Sequence, residues 1–198
     1  MSSVSVRPAG RPRNPELDRA ILAAAERQLG EVGYAGMSLE SIAAQAGTTV
    51  PAVRRRFRSK AELVVAVIES LRIHRLPGPA GPPRERVLAL LRNFHANLAR
   101  TNSMAVVGSL LAEERRHPEL LETFRRRLVE PRRQALRRIL DDAVTAGELA
   151  SSADSEVLAS MLIGAFYARY IESSDVPEHW PETLLRHFWP AAPGHRSG

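Results

Sequence analysis

Apolar residues along this chain recur every three or four positions, and no segment shows the strict alternation of a half-buried strand. Leu17, Ile21, Ala25 and Leu29 make one such stripe. It begins at Asn14-Pro15-Glu16, a capping side chain, a proline in the first turn and an acid facing the helix dipole. Gly30 and Gly33 predict its end near Val32. Ser38 caps a second helix whose Leu39, Ile42 and Ala43 face inward, and Gly47 supplies the left-handed turn after it. Thr48 or Thr49 opens a third helix with Pro51 in its first turn and Val53 and Phe57 as inward anchors. Ser59 and Glu62 form the capping box of a fourth, carrying Leu63, Val67 and Leu71 and fading near Leu76.

The segment PGPAGPP at 77–83 breaks the pattern and marks a domain boundary. Beyond it the spacing is again helical. Val87, Leu91, Phe94 and Leu98 share one face, and Met104, Val107 and Leu111 share another. Pro118 opens a helix with Leu121, Phe124 and Leu128, which Pro131 breaks or kinks before Leu136, Ile139 and Leu140 continue to Gly147. Residues 154–172 hold the aromatic run SMLIGAFYARY, and Trp180, Leu184, Leu185, Phe188 and Trp189 define a last helix near 178–189. The fold class is therefore all-α, with nine or ten helices. Its parts are a flexible basic tail (1–13), a three-helix unit (14–60), a connecting helix (61–76), a helical C-terminal domain (84–190) and a tail (191–198).

Composition narrows the chemistry. The 198 residues contain no cysteine, so disulfides and thiolate catalysis are excluded. No apolar run reaches the roughly 20 residues that cross a bilayer, and the first residues lack a hydrophobic signal, so a soluble cytoplasmic protein without a membrane partner is expected. The net charge of +6 is unevenly placed. Residues 1–75 carry 12 Lys/Arg against 7 Asp/Glu, whereas residues 76–198 carry 16 against 15. The surface that meets a polyanion therefore lies in the first third. Arginine makes up 27 of the 28 basic residues, which lowers the information in any one of them.

The excess is concentrated at Arg54, Arg55, Arg56, Arg58 and Lys60, on a short helix reached through a tight glycine turn. That is the sequence form of a helix-turn-helix for double-stranded DNA. Val50, Pro51 and Ala52 are set to touch thymine methyls, and Arg55 to donate to guanine. Ser38, Thr49, Arg54, Arg56 and Lys60 suit phosphates, which position a protein without specifying sequence. Each has a simpler use as well: Thr49 as a plain cap, any one arginine as a solvated charge.

The stretches GRPRNPELDRAIL, GYAGMSLESIAAQAG and TTVPAVRRRFRSKAEL resemble the DNA-binding domain of the TetR/AcrR family of transcriptional regulators. LLAEERRHPEL, VEPRRQALRRIL and GEL resemble one branch of that family's C-terminal domains. Arg54 departs from the pattern, standing where the family usually has a backbone-contacting tyrosine. The resemblance implies a cavity among the C-terminal helices, with Leu91, Phe94, His95, Leu98, Met104, Val107, Phe124, Phe166, Tyr167 and Tyr170 as candidate lining. The same residues would equally serve as core. It also implies a homodimer through the last two long helices, for which Tyr167, Leu185 and Trp189 are the candidates and Gly164, Ala165 and Ala168 permit close approach.

No cofactor is expected. Glu113 and His117 stand four apart on a helix but lack a second ligand pair, so no metal site is expected. No nucleophile–base arrangement or glycine-rich phosphate loop supports an enzyme. The expectation is a ligand-responsive, homodimeric regulator, a repressor released from a palindrome by a small molecule. A regulator of the same fold without effector release, an activator, or a helical enzyme are the alternatives.

Overall fold

The computed structural model describes residues 14–71, 81–100 and 102–189. The expected tails 1–13 and 191–198, the end of the connecting helix and the first part of the 77–83 loop lie outside the described residues. Within them are ten α-helices and no strand.

The N-terminal helices are α1 (Pro15–Gly36), α2 (Leu39–Gln45), α3 (Val50–Arg54) and α4 (Lys60–Ser70). Local chemistry sets their starts. The Asn14 carboxamide oxygen accepts from the Glu16 and Leu17 amides at 3.0 and 3.4 Å. Ser38 and Ser59 hydroxyls accept from the amides of Ser41 and Glu62. Gly33 leaves helical geometry at φ 69°, so the regular part of α1 stops beside Val32. Two cap details differ from the expectation. The Thr49 side chain makes no capping bond to α3. Glu62 accepts from the Arg58 amide at 2.7 Å rather than closing a reciprocal box onto Ser59.

The C-terminal helices are α5 (Pro83–Leu98), α6 (Ser103–Ala112), α7 (Pro118–Phe124), α8 (Glu130–Thr145), α9 (Ser155–Ser173) and α10 (Trp180–Phe188). Pro131 offers no N–H, and its ring crowds the carbonyl four residues back. The chain widens into a π-helical turn over Arg125–Val129, so α7 and α8 run on without a break.

Two hydrophobic cores result. The first joins Ile21 and Leu29 of α1, Ile42 of α2, Val53 of α3 and Leu63, Val67 and Ile68 of α4. It also takes in Val106 and Leu110 of α6 and Leu120 and Leu121 of α7, from beyond the proline-rich loop. The second joins Val87 and Leu91 (α5), Leu136 and Leu140 (α8), Leu162 and Phe166 (α9) and Leu185 with Trp189 at α10. Phe94 meets Phe166 edge-on, with centroids 5.1 Å apart. Full burial of a side chain such as Leu or Phe contributes about 1.5–3 kcal/mol, so each core rests on many such terms.

Leu185 and Trp189 require a correction. Their relative exposures are 0% and 5% within the single chain, because α10 lays its apolar face against α5. They belong to this chain's own interior, while Tyr167, the third residue expected at the interface, is half-buried in α9.

Candidate functional site

The turn between α2 and α3 is built as its sequence suggests. Gly47 takes φ 64°, and the Thr48 amide donates back to the Ala43 carbonyl at 2.9 Å. α3 is anchored by fully buried Val53. Thr49, Pro51, Arg54, Arg55 and Arg58 are exposed, Val50 and Ser38 half-buried. Arg54, Arg55 and Arg58 make no ion pair or side-chain hydrogen bond among the described residues, so their guanidinium groups are available to an outside anion. Ser38 spends its lone pair on the Ser41 amide and keeps its O–H to donate.

Three residues expected to face DNA are covered or hold partners within the chain. Ala52 is only 7% exposed. Arg56 Nε lies 2.5 Å from Asp18 on α1, and its Nη1 donates to the Ala52 carbonyl at 3.1 Å. It therefore ties α3 to α1. Lys60 Nζ reaches the carbonyls of Ala35 and Met37 at 3.4 Å and sits 4.5 Å over the Tyr34 ring. It closes the end of α1, a good place for a cation. These partners lie 23 to 38 residues away in sequence, so periodicity gave no sign of them. Gln28, 4% exposed, was missed for the same reason; its carbonyl oxygen holds the Ser38 amide at 3.2 Å and fixes where α2 begins.

A second feature lies between the two cores. A cavity of about 350 Å³ is walled by Phe94, Leu98, Val107, Phe124 and Tyr167 from the expected set. It also touches Glu26 of α1 and Leu71 after α4, so the DNA-binding helices form part of its wall. His95, Met104 and Tyr170 instead border a neighbouring cavity of about 340 Å³, which shares Leu98, Arg100 and Ser103 with the first. Leu91 and Phe166 are fully buried core and line neither. The His95 ring is satisfied by the Val176 carbonyl at 2.7 Å.

Arg132 and Tyr167 share the larger cavity. Burial lowers the guanidinium pKa and raises that of the phenol, while the nearby Arg132 charge partly opposes the latter shift. Arginine's ordinary value is high enough that it stays charged at neutral pH, and Tyr167 keeps its proton. Arg132 was overlooked because it stands in the arginine-rich run EPRRQALRR. Elsewhere, the His117 ring lies 4.6 Å from the Tyr34 ring at a tilt of 59° and bonds Glu119, and no cluster of three metal-ligating side chains exists among the described residues. No helix among them is long and apolar enough to cross a membrane.

Residues 21–67 match the family described as bacterial regulatory proteins, tetR family, and residues 77–188 match the tetracyclin repressor-like C-terminal domain. An uncharacterized HTH-type transcriptional regulator of Mycobacterium tuberculosis is 32% identical over 168 residues, 82% of each chain. The HTH-type regulator YdeS of Bacillus subtilis is 26% identical over 167 residues, 84% of each. Among solved structures, a TetR-family regulator from Mesorhizobium loti superposes with TM-score 0.70 at 20% identity, over 90% of this chain and 97% of that one. FadR of Bacillus subtilis, in complex with stearoyl-CoA, gives 0.71 at 18% identity, over 86% and 97%. With an all-α fold, a glycine-turned basic helix and both family domains in order, the chain belongs to the TetR family: it is a DNA-binding transcriptional regulator, not an enzyme.

Proposed function

We propose that two copies of this chain hold their α3 helices against a palindromic operator as a repressor, and that a small molecule filling the larger cavity releases them. The observation that carries this reading is the wall of that cavity. Glu26 lies on α1 and Leu71 just after α4, the helices that share a core with Val53 of α3, while Phe94, Val107 and Tyr167 come from the C-terminal helices. A ligand bound there touches both sides at once. Any change in their spacing alters the separation of two α3 helices, which must sit about 34 Å apart to read half-sites one turn apart.

A dimer is supported by α9. Val157, Met161, Gly164, Ala168 and Ile171 fall at alternating spacings of four and three and are all exposed, with Ile171 at 80%. An apolar stripe of that period is a helix-packing seam, and the small residues at its middle let backbones approach. It is the better candidate for the role first given to Tyr167, Leu185 and Trp189. FadR, similar in fold, binds stearoyl-CoA, which favours an effector-binding C-terminal domain here too.

The test uses the duplex bordering the protein's own coding sequence, searched for an inverted repeat. Footprinting there should protect a palindrome, and small molecules that bind the cavity should abolish the protection. Binding to random duplexes with equal affinity counts against a specific operator.

A further inference from the structure

The Arg132 guanidinium has a partner for only one of its three nitrogens. Nη1 donates to the Leu128 carbonyl at 3.2 Å, whereas Nε and Nη2 are buried with no hydrogen-bond partner among the described residues. No carboxylate lies within ion-pair distance of it there. Its neighbours in the wall are differently served. Arg133 pairs with Glu156, and Arg100 faces Glu26, the carboxylate lining the cavity, at 3.7 Å. The rest of the cavity wall is mostly apolar, with Leu98, Val106, Phe124, Leu128 and Ile163 beside the uncharged polar Asn97, Ser103 and Ser160. The side chain as a whole is half-buried, but two of its nitrogens are enclosed without a partner, which is costly, and chains retain such groups where something outside completes them.

The position also looks built. Arg132 follows the π-helical turn whose Leu128 and Val129 line the cavity, and such turns concentrate at functional sites. The free Nε and Nη2 edge of a guanidinium is the edge that meets both oxygens of a carboxylate. Tyr167, also in the wall, keeps its proton and adds a neutral donor nearby.

We infer that the cavity takes a small monocarboxylate with a compact apolar body, its two oxygens on Arg132 and its body against Leu98, Phe124 and Ile163. About 350 Å³ is at the small end of the 300–1,000 Å³ typical of small-molecule sites, which favours a free acid over a large conjugate. The inference rests on the reading of this cavity as the effector site and names the ligand's chemistry.

Calorimetry with matched probes tests it: octanoate against octanamide, and 3-phenylpropionate against its amide. The first pair offers an acyl body and the second an aromatic one. At least one acid should bind about tenfold or more tightly than its amide, since the charge-assisted contact is absent from the amide. R132Q should erase that preference, whereas R137Q, one turn further along α8, outside the cavity wall and paired with Glu156, should keep it. Equal binding of acid and amide to the wild type, no saturable binding of either acid, or a folded R132Q that still prefers the acid overturns the inference. The wild-type arm stands even if R132Q does not fold. A separate arm follows release of the operator duplex. Acids that bind through Arg132 without releasing DNA leave this site standing and sink the effector reading. Release by neutral molecules, unaffected by R132Q, does the reverse.

Discussion

Gly30 lies directly against Asn102: a Cβ at position 30 would stand 2.4 Å from the Asn102 Cβ. Helix α1 and the start of α6 therefore touch through a gap that only glycine leaves open. Asn102 itself holds φ 64°, a conformation asparagine tolerates better than most residues. The contact borders the larger cavity, since Glu26 is one turn earlier on α1 and Ser103 follows Asn102.

Gly30→Ala should destabilise the protein by about 1–3 kcal/mol, the usual cost of overpacking a close contact. Asn102→Gly removes the opposing Cβ and suits the left-handed backbone. The double variant should recover most of the loss, a coupling that urea unfolding of all four proteins measures. Additive losses would show that the helices do not meet there.

The cations around α3 divide into two groups with different expected phenotypes. Arg54→Ala and Arg58→Ala should each reduce the salt slope of DNA binding by about 0.9 if each neutralises one phosphate. Arg56→Ala and Lys60→Ala should leave that slope unchanged and lower the melting temperature, because their charges are spent on Asp18 and on the end of α1. The half-buried Arg56 pair lies nearer the weak end of ion-pair energies than the strong, on the order of 1 kcal/mol. A reduced slope for Arg56→Ala would return that side chain to the phosphate group.

Arg55 caps the C-terminal end of α3 and is exposed. If it donates to a guanine edge, Arg55→Ala relaxes preference at one position per half-site, at about 1–3 kcal/mol. Selection from random duplexes measures it. An unchanged preference makes Arg55 a positioning contact.

What could be seen in the sequence was local. Asn14, Ser38 and Ser59 cap the helices they precede, and Gly47 makes the turn it suggests, because each effect spans at most a few residues. What escaped was set by distant partners. Arg56 looked like its neighbours until Asp18, 38 residues away, was seen to hold it. Leu185 and Trp189 sat on a helix apolar on more than one face, and sequence alone does not say whether a sister helix or a second subunit covers it. Arg132 was hidden by composition, one arginine in a chain where arginine supplies nearly all the positive charge.

The subunit seam is where that ambiguity has the sharpest consequence. Met161 and Ile171 are 58% and 80% exposed on α9, while Leu185 is fully enclosed. A glutamate at 161 or 171 faces water in the single chain, so folding should be almost undisturbed. In a dimer it meets the same charge across the two-fold axis and strips apolar contact from the seam. Met161→Glu and Ile171→Glu should therefore give helical monomers that bind the palindrome far more weakly. Leu185→Glu should instead lose helical structure, because its carboxylate is buried without a partner. Sedimentation separates monomer from dimer and circular dichroism separates folded from unfolded. If Met161→Glu and Ile171→Glu both remain dimeric at micromolar concentration, the seam lies on another face. If Leu185→Glu folds as a monomer, α10 rather than α9 carries the contact.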